Sequence, residues 1–292
     1  MIPVIVTGAS GQLGKAFIEL LSFKDGYNVY SFDRRQLDIS DKEKVEGVLA
    51  TLPQVKYWIN CAAYTKVDDA EKNVDEAMLY NTTGPGYIAA ACKARGVHLF
   101  HFSSDYVYHN DHRKPLKESD PTTPKGVYAQ TKLDGENLVI HSGASHTIIR
   151  TSWVYGPGGH NFVNTMLRLG KSKDHLRIVG DQLGAPTFTH DIVHVIKELI
   201  HLDSIKDGKS INGIFNFANA GEVTWADFAK TIFRLADIPC EVESITTQEY
   251  GAPAPRPLYS VMDCAKISSL LSYPIPHWED ALQRHLALVA EL

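Results

Sequence analysis

The sequence predicts an α/β protein, a doubly wound parallel sheet with a smaller C-terminal lobe, and three observations carry that expectation. Short apolar segments alternate with amphipathic helical patterns through the first 150 residues, and parallel strands need such crossovers because each connection must travel back across the sheet. A glycine-rich turn directly follows the first apolar segment. Beyond residue 150 the alternation loosens into stretches punctuated by glycine and proline, the mark of a less regular second part.

The first segment, Met1-Ile2-Pro3-Val4-Ile5-Val6, opens as a strand over 2–6 and lacks the basic leader of a secretion signal. Runs of β-branched and aromatic residues predict further strands at 29–32, 57–61, 97–102 and 147–150. Between them, apolar residues at helical spacing predict helices over 13–23, 42–52, 75–95 and 128–142. In the second part, helices are expected at 162–171, 191–202 and 225–235, and a strand at 214–217 returns the chain to the sheet. The run Gly251-Ala252-Pro253-Ala254-Pro255-Arg256-Pro257 excludes regular helix, since proline lacks the amide donor and fixes φ. Residues 1–150 thus form one domain, rejoined at about 186–220, and 151–185 with 221–292 form a lobe over the carboxyl edge of the sheet.

Composition narrows the function. Of 292 residues, 44% are hydrophobic and 22% charged, which excludes a disordered chain. A formal charge of -5 argues against nucleic acid or an anionic membrane as partner. No apolar run approaches the ~20 residues that span a bilayer. The four cysteines, Cys61, Cys92, Cys240 and Cys264, form no CxxC pair, which speaks against structural zinc or a disulfide framework and for the reducing cytoplasm. Cys61 and Cys92 lie in apolar stretches and read as small buried hydrophobes.

Thr7-Gly8-Ala9-Ser10-Gly11-Gln12-Leu13-Gly14 joins the first strand to the first helix. Glycine permits a tight turn and close approach to a ligand, while free amides at the helix N-terminus attract pyrophosphate. That combination predicts a Rossmann-type dinucleotide site. Asp33 lies 19 positions after Gly14, near the usual place of a ribose-binding acid. Arg34 and Arg35 follow, and guanidinium groups suit a 2′-phosphate. The acid favours NADH and the arginines NADPH; the choice stays open, with a lean to NADPH. Asp38 and Ile39 are expected against adenine.

Tyr128-Ala129-Gln130-Thr131-Lys132 places a phenol and an ammonium four residues apart, on one face of a helix. A free tyrosine, pKa ~10, is a poor acid near neutrality unless a cation stabilises its phenolate. Lys132 can supply that field and bond a nicotinamide ribose. The fourth strand ends in Ser103-Ser104-Asp105-Tyr106, at the edge where parallel sheets bind ligands. Ser104, Tyr128 and Lys132 together suit ketone reduction, with Ser104 anchoring the carbonyl and Tyr128 delivering the proton. Asn81 is a candidate to support a water near Lys132.

These residues resemble the extended short-chain dehydrogenase/reductase superfamily, through Gly8/Gly11/Gly14, Asn60-Cys61-Ala62-Ala63 and Tyr128/Lys132. Within it, the chain resembles the dTDP-4-dehydrorhamnose reductase family. That likeness runs through Gly11-Gln12-Leu13-Gly14, Ala62-Ala63-Tyr64-Thr65-Lys66-Val67-Asp68, Ser104-Asp105-Tyr106-Val107-Tyr108, Arg150-Thr151-Ser152-Trp153-Val154-Tyr155-Gly156, Asp181-Gln182-Leu183-Gly184-Ala185-Pro186-Thr187 and Arg256-Pro257-Leu258-Tyr259-Ser260.

The resemblance implies reduction of the C4 ketone of dTDP-4-dehydro-L-rhamnose. It implies a cofactor lined by Gly8, Ser10, Gly11, Gln12, Leu13, Gly14, Ala62, Ala63 and Tyr64, beside Tyr128 and Lys132. Val67, Ser104, Asp105, Tyr106 and Trp153 would meet the dTDP-sugar, and Arg256 would neutralise its diphosphate. Some relatives form homodimers around magnesium held by carboxylates; Lys15 occupies the position after the glycine loop, so no bridging metal is expected here. His190-Asp191-Ile192-Val193-His194 lacks the glutamate and third ligand of a zinc helix.

Two rivals remain at the level of sequence. One is a related nucleotide-sugar dehydratase or epimerase; dehydration needs an added acid/base pair, Asp-Glu after the fourth strand in that subgroup, where this chain has Asp105-Tyr106. A cofactor-bound regulatory subunit, similar to that of methionine adenosyltransferase, would not need Ser104, Tyr128, Lys132 and Trp153 intact.

Overall fold

A computed structural model describes residues 1–292 apart from 22–24, 53, 110–112, 206, 207, 209, 291 and 292. Five strands, β1 (Ile2–Thr7), β2 (Tyr27–Phe32), β3 (Tyr57–Asn60), β4 (His98–Ser104) and β5 (His146–Thr151), are followed by β6 (Val154–Tyr155), β7 (His175–Val179), β8 (Leu183–Gly184) and β9 (Thr187–Phe188). Then come β10 (Gly213–Asn216), β11 (Val223–Thr224) and β12 (Glu241–Ile245). The central sheet has the order β10-β5-β4-β3-β1-β2 and is parallel throughout. The chain moves one way from β1 to β2 and the other way from β1 to β3. Loops leaving the carboxyl ends of β1 and β3 therefore part, and the crevice between them is the ligand site of such sheets.

The helices are α1 (Gln12–Leu20), α2 (Lys42–Thr51), α3 (Val67–Ala70), α4 (Val74–Met78), α5 (Gly84–Arg95), α6 (Val127–His141), α7 (Phe162–Gly170), α8 (Thr189–Ile205), α9 (Trp225–Leu235), α10 (Thr247–Tyr250), α11 (Ala265–Ser268) and α12 (Trp278–Ala290). Strand alternation distributes the core to both faces. Val4 and Val6 join Phe17 of α1 and Ile196 of α8 on one side. Ile5 joins Val45 of α2, Ile88 of α5 and Val139 of α6 on the other. Side chains of this size each contribute ~1.5–3 kcal/mol when fully buried. No helix among the described residues is long and apolar enough to cross a membrane.

The structure differs from the sequence expectations in three places. The helical pattern over 75–95 is broken by a wide π-turn at Leu79–Thr83. Pro85 has no amide for the Asn81 carbonyl, and Gly84 N–H reaches back five residues to the Leu79 carbonyl instead. The first helix ends at Leu20, and the last two expected positions, 22 and 23, lie outside the described residues.

The third difference concerns the lobe. Its two-stranded pieces pair distant segments: β7 with β12, β8 with β11, and β6 with β9. Tyr155, Phe188, Phe228 and Trp278 dominate its core. Part of the 221–292 segment belongs elsewhere, however, because Ile267 of α11 is wholly buried in the sheet core with Cys264 and Leu271 against it.

Candidate active site

The glycine turn is built by backbone contact. Gly8 has φ 76, and a Cβ there would meet Ala62 N at 2.6 Å. A Cβ on Gly14 would lie 2.2 Å from the Gly8 carbonyl oxygen. Helix α1 starts at this turn without a side-chain cap and without an acidic residue in its first turn, which leaves its amides available to an anion. These features fit a dinucleotide pyrophosphate. Asn60 braces the facing loop: its Oδ1 accepts from Thr7 Oγ1 at 2.9 Å and from Ala62 N at 3.2 Å.

Several expected cofactor residues are already engaged. The Gln12 amide donates to the Val154 carbonyl at 3.0 Å and accepts from Asn161 at 3.1 Å, so its side chain ties the turn to the lobe. Leu13 packs against the sheet core, whereas Ser10 is exposed. Asp33 caps its own turn, accepting from Arg35 N and Gln36 N. The Arg34 side chain is 63% exposed, 3.2 Å from Glu76, and lies over the Tyr80 ring. Asp38 accepts from Ser40 and Tyr80. Ile39 is buried, 2% exposed, where Gly84 at the start of α5 leaves room for its side chain.

Helix α6 carries the expected reacting pair, Tyr128 and Lys132. Val127 N donates to Glu71 Oε1 at 2.8 Å, so a carboxylate from a distant loop caps the helix, a placement the helix dipole favours. A Cβ on Gly135 would lie 2.0 Å from the Asn81 carbonyl oxygen, which marks how tightly α6 abuts the π-turn. The Asn81 side chain is spent on Tyr64 N, Tyr64 O and Thr131 Oγ1. It locks the Tyr64 loop to α6. Further along the helix, Glu136 receives a bidentate Arg150, whose third nitrogen donates to Tyr108. This buried ion pair fixes α6 on β5.

Tyr128 is half-buried, and its ring meets Tyr106 edge-on at 5.5 Å between centroids. Burial pushes its phenol up to about 12, with the neighbouring Ser104 hydroxyl working against the rise and the Asp105 charge adding to it. The phenol therefore keeps its proton at neutral pH. Lys132 is buried and donates to the Phe102 carbonyl at 2.6 Å. Burial draws its ammonium down to about 8, opposed by Glu136.

Ser104 ends β4 and donates to Asp105 Oδ1 at 2.8 Å. Burial raises the Asp105 carboxyl to about 6, while hydrogen bonds from Ser104 and Ser260 restrain it. Beneath them His101 is buried. Burial, and then the Lys132 charge, hold it neutral. This arrangement can present a proton donor and a hydroxyl to one carbonyl oxygen, while the Lys132 ammonium is turned to the Phe102 carbonyl.

On the lobe side, Trp153 has φ 47 and stacks on Trp225 at 3.5 Å. Val67 opens α3, half-buried. Arg256 is held by Asp68 in a two-pronged pair at 2.9 and 2.8 Å. The expected diphosphate contact would have to replace or share that carboxylate. Glu71, Ser260 and Trp225 are not among the site residues the sequence points to. Their partners lie far along the chain, and no local spacing reports such contacts.

A parallel sheet with a glycine-lined switch point and a Tyr-Lys pair on the helix behind its fourth strand defines an oxidoreductase of the extended short-chain dehydrogenase/reductase class. Comparison with known proteins narrows this. The family model described as RmlD substrate binding domain matches residues 2–291, and the chain belongs to that family. The spore coat polysaccharide biosynthesis protein SpsK of Bacillus subtilis is 38% identical, over 98% of this chain and 97% of its own. A dTDP-4-dehydrorhamnose reductase of Aggregatibacter actinomycetemcomitans is 37% identical, over 97% of this chain and 98% of its own. The crystal structure of dTDP-4-dehydrorhamnose reductase from Bacillus anthracis, in complex with NADP, superposes with a TM-score of 0.93 at 37% identity, covering 99% of this chain and 100% of that one.

Proposed function

We propose that this protein reduces the C4 ketone of dTDP-4-dehydro-L-rhamnose to dTDP-L-rhamnose, using NADPH in preference to NADH. The observation that carries the proposal is the meeting of Ser104 and Tyr128, with Lys132 one helical turn behind, at the carboxyl edge of the sheet. Full-length likeness to reductases named for this sugar supports the substrate, and the NADP complex of the Bacillus anthracis relative supports the cofactor.

The glycine turn and the open start of α1 would hold the pyrophosphate. When bound, the reduced nicotinamide supplies hydride to the carbonyl carbon. Ser104, after turning its hydroxyl from Asp105 Oδ1, donates a hydrogen bond to the carbonyl oxygen and orients it. Tyr128 then transfers its proton to that oxygen as negative charge develops there. The phenolate left on Tyr128 is stabilised by the Lys132 ammonium, whose burial strengthens the field between them. Trp153, Val67 and Tyr106 would wall the sugar, and Arg256 would meet the diphosphate after exchanging or sharing Asp68. The segments 151–185 and 221–292, less the α11 stretch that packs on the sheet, would form the substrate lobe.

Anaerobic incubation with dTDP-4-dehydro-L-rhamnose and each reduced cofactor tests the proposal. Nicotinamide absorbance and sugar product should fall and rise in equal amounts, faster with NADPH. Conversion of the sugar without net cofactor oxidation would assign the chain to epimerisation or dehydration instead.

A further inference from the structure

We propose that Trp225 is a positioning residue that sets the Trp153 indole against the sugar nucleotide, so that the two rings act as one aromatic wall. This deepens the reductase reading and rests on it. The two indoles lie 3.5 Å apart between ring centroids and are tilted by only 11°. Trp153 holds a left-handed backbone, φ 47, which a bulky side chain adopts only when its surroundings over-determine it.

Those surroundings come from three sides. A Cβ on Gly184 would sit 2.6 Å from Trp153 Cε2, so the absence of a side chain there makes room for the indole. The same added Cβ would lie 2.8 Å from Ser260 Oγ, and Ser260 lies beside the Asp105 carboxyl next to Ser104. One border of the indole is thus shared with the reacting groups. Trp225 covers a face.

Trp225 is itself anchored. It is the first residue of α9, directly after the Thr224 cap that accepts from Asp227 N. Its indole N–H donates to Gln182 Oε1 at 3.2 Å, and Gln182 donates to Thr247 Oγ1 at 2.9 Å. Thr247 is held by Asp181 at 2.6 Å. Phe162 packs on Trp225 with 4.5 Å between ring centroids. Unlike Phe228 and Phe188 in the lobe core, which are at most 1% exposed, both tryptophans are only half-buried. The pair lies at the border of the core, not inside it.

The test uses the full chain with NADPH and dTDP-4-dehydro-L-rhamnose, comparing Trp225→Leu, Trp225→Phe and Trp153→Leu. Trp225→Leu is expected to raise KM for the sugar nucleotide ~3–10-fold, the worth of one aromatic pair, with a smaller change in kcat and none in NADPH affinity. Exciton-coupled circular dichroism from the stacked indoles should vanish in all three variants. Trp225→Phe keeps a ring but loses the bond to Gln182, and its KM should rise ~2–3-fold. It decides the matter should Trp225→Leu fail to fold. Loss of the dichroic couplet with an unchanged KM in either folded Trp225 variant overturns the positioning role alone. Absence of turnover in the unaltered protein overturns it together with the reductase reading.

Discussion

The sheet and the lobe solve the same problem, burying apolar surface, in opposite ways. In the sheet, β1 to β4 each lead into helices that cover it, and one residue step moves a side chain from one core to the other: Val4 and Val6 face α1 and α8, Ile5 faces α2 and α5. The lobe has no such repeat. Its β7 pairs with β12 across more than sixty intervening residues, and its core is a cage of aromatic rings around Phe228 and Tyr155. Local repetition makes a region legible and gives it a rigid ligand edge. Remote assembly leaves a region obscure in sequence and lets it shape a pocket.

Substitutions that act on one region and spare the other sharpen this contrast. The largest effect is expected in the sheet from Gly14→Ala. The new methyl would stand 2.2 Å from the Gly8 carbonyl oxygen, so the turn must open. NADPH affinity should fall ~100-fold, matching the ~3 kcal/mol upper range of overpacking, as measured by calorimetric titration. The aromatic core of the lobe, followed by near-ultraviolet circular dichroism, should stay intact.

In the lobe the corresponding weak point is His285, which is fully buried beside Tyr155 with neither ring nitrogen hydrogen-bonded. Burial lowers its pKa from 6.5 to about 4. Between those values the unfolded chain binds the extra proton, so stability rises with pH and is lost as pH falls. Urea unfolding at pH 7 and pH 5 should differ by about 2 kcal/mol from this residue. His285→Leu should remove that part of the acid sensitivity. An undiminished slope in the variant would place the sensitivity elsewhere, His98 in the sheet being the other histidine lowered to about 4.

The smallest effect is expected where the regions join. Gln12 bridges the glycine turn to Val154 and Asn161. Gln12→Ala should cost about 1 kcal/mol of stability, the net worth of a hydrogen bond, and weaken NADPH by less than ~5-fold. A loss as large as that of Gly14→Ala would mean that the Gln12 side chain serves the cofactor directly.

Much of the sheet was readable from residue order, because a period-two strand and a helix of matching length predict each other. All six central strands lie within a few residues of their expected positions. The π-turn was not foreseen, although Pro85 inside the helical pattern was its visible cause. In the lobe, α9 coincided with its pattern over Trp225–Leu235, but the two-residue strands carry no period at all and α12 was missed.

The candidate site divides along the same line. The glycine spacing and the Tyr128/Lys132 pair are local and could be found by spacing. Glu71 capping α6, Asp68 holding Arg256 and Gln12 reaching Asn161 join residues 56 to 188 positions apart. Chain order alone carries no record of such contacts.

The most direct measurement is the turnover of Tyr128→Phe with saturating NADPH and dTDP-4-dehydro-L-rhamnose. Phenylalanine keeps the ring against Tyr106 and removes only the hydroxyl. The expected result is a kcat lower by ~10²–10⁴-fold, the usual worth of a general acid, with NADPH affinity unchanged. A variant that turns over as fast as the parent would show that the proton reaches the sugar from another group, and the central assignment would fall.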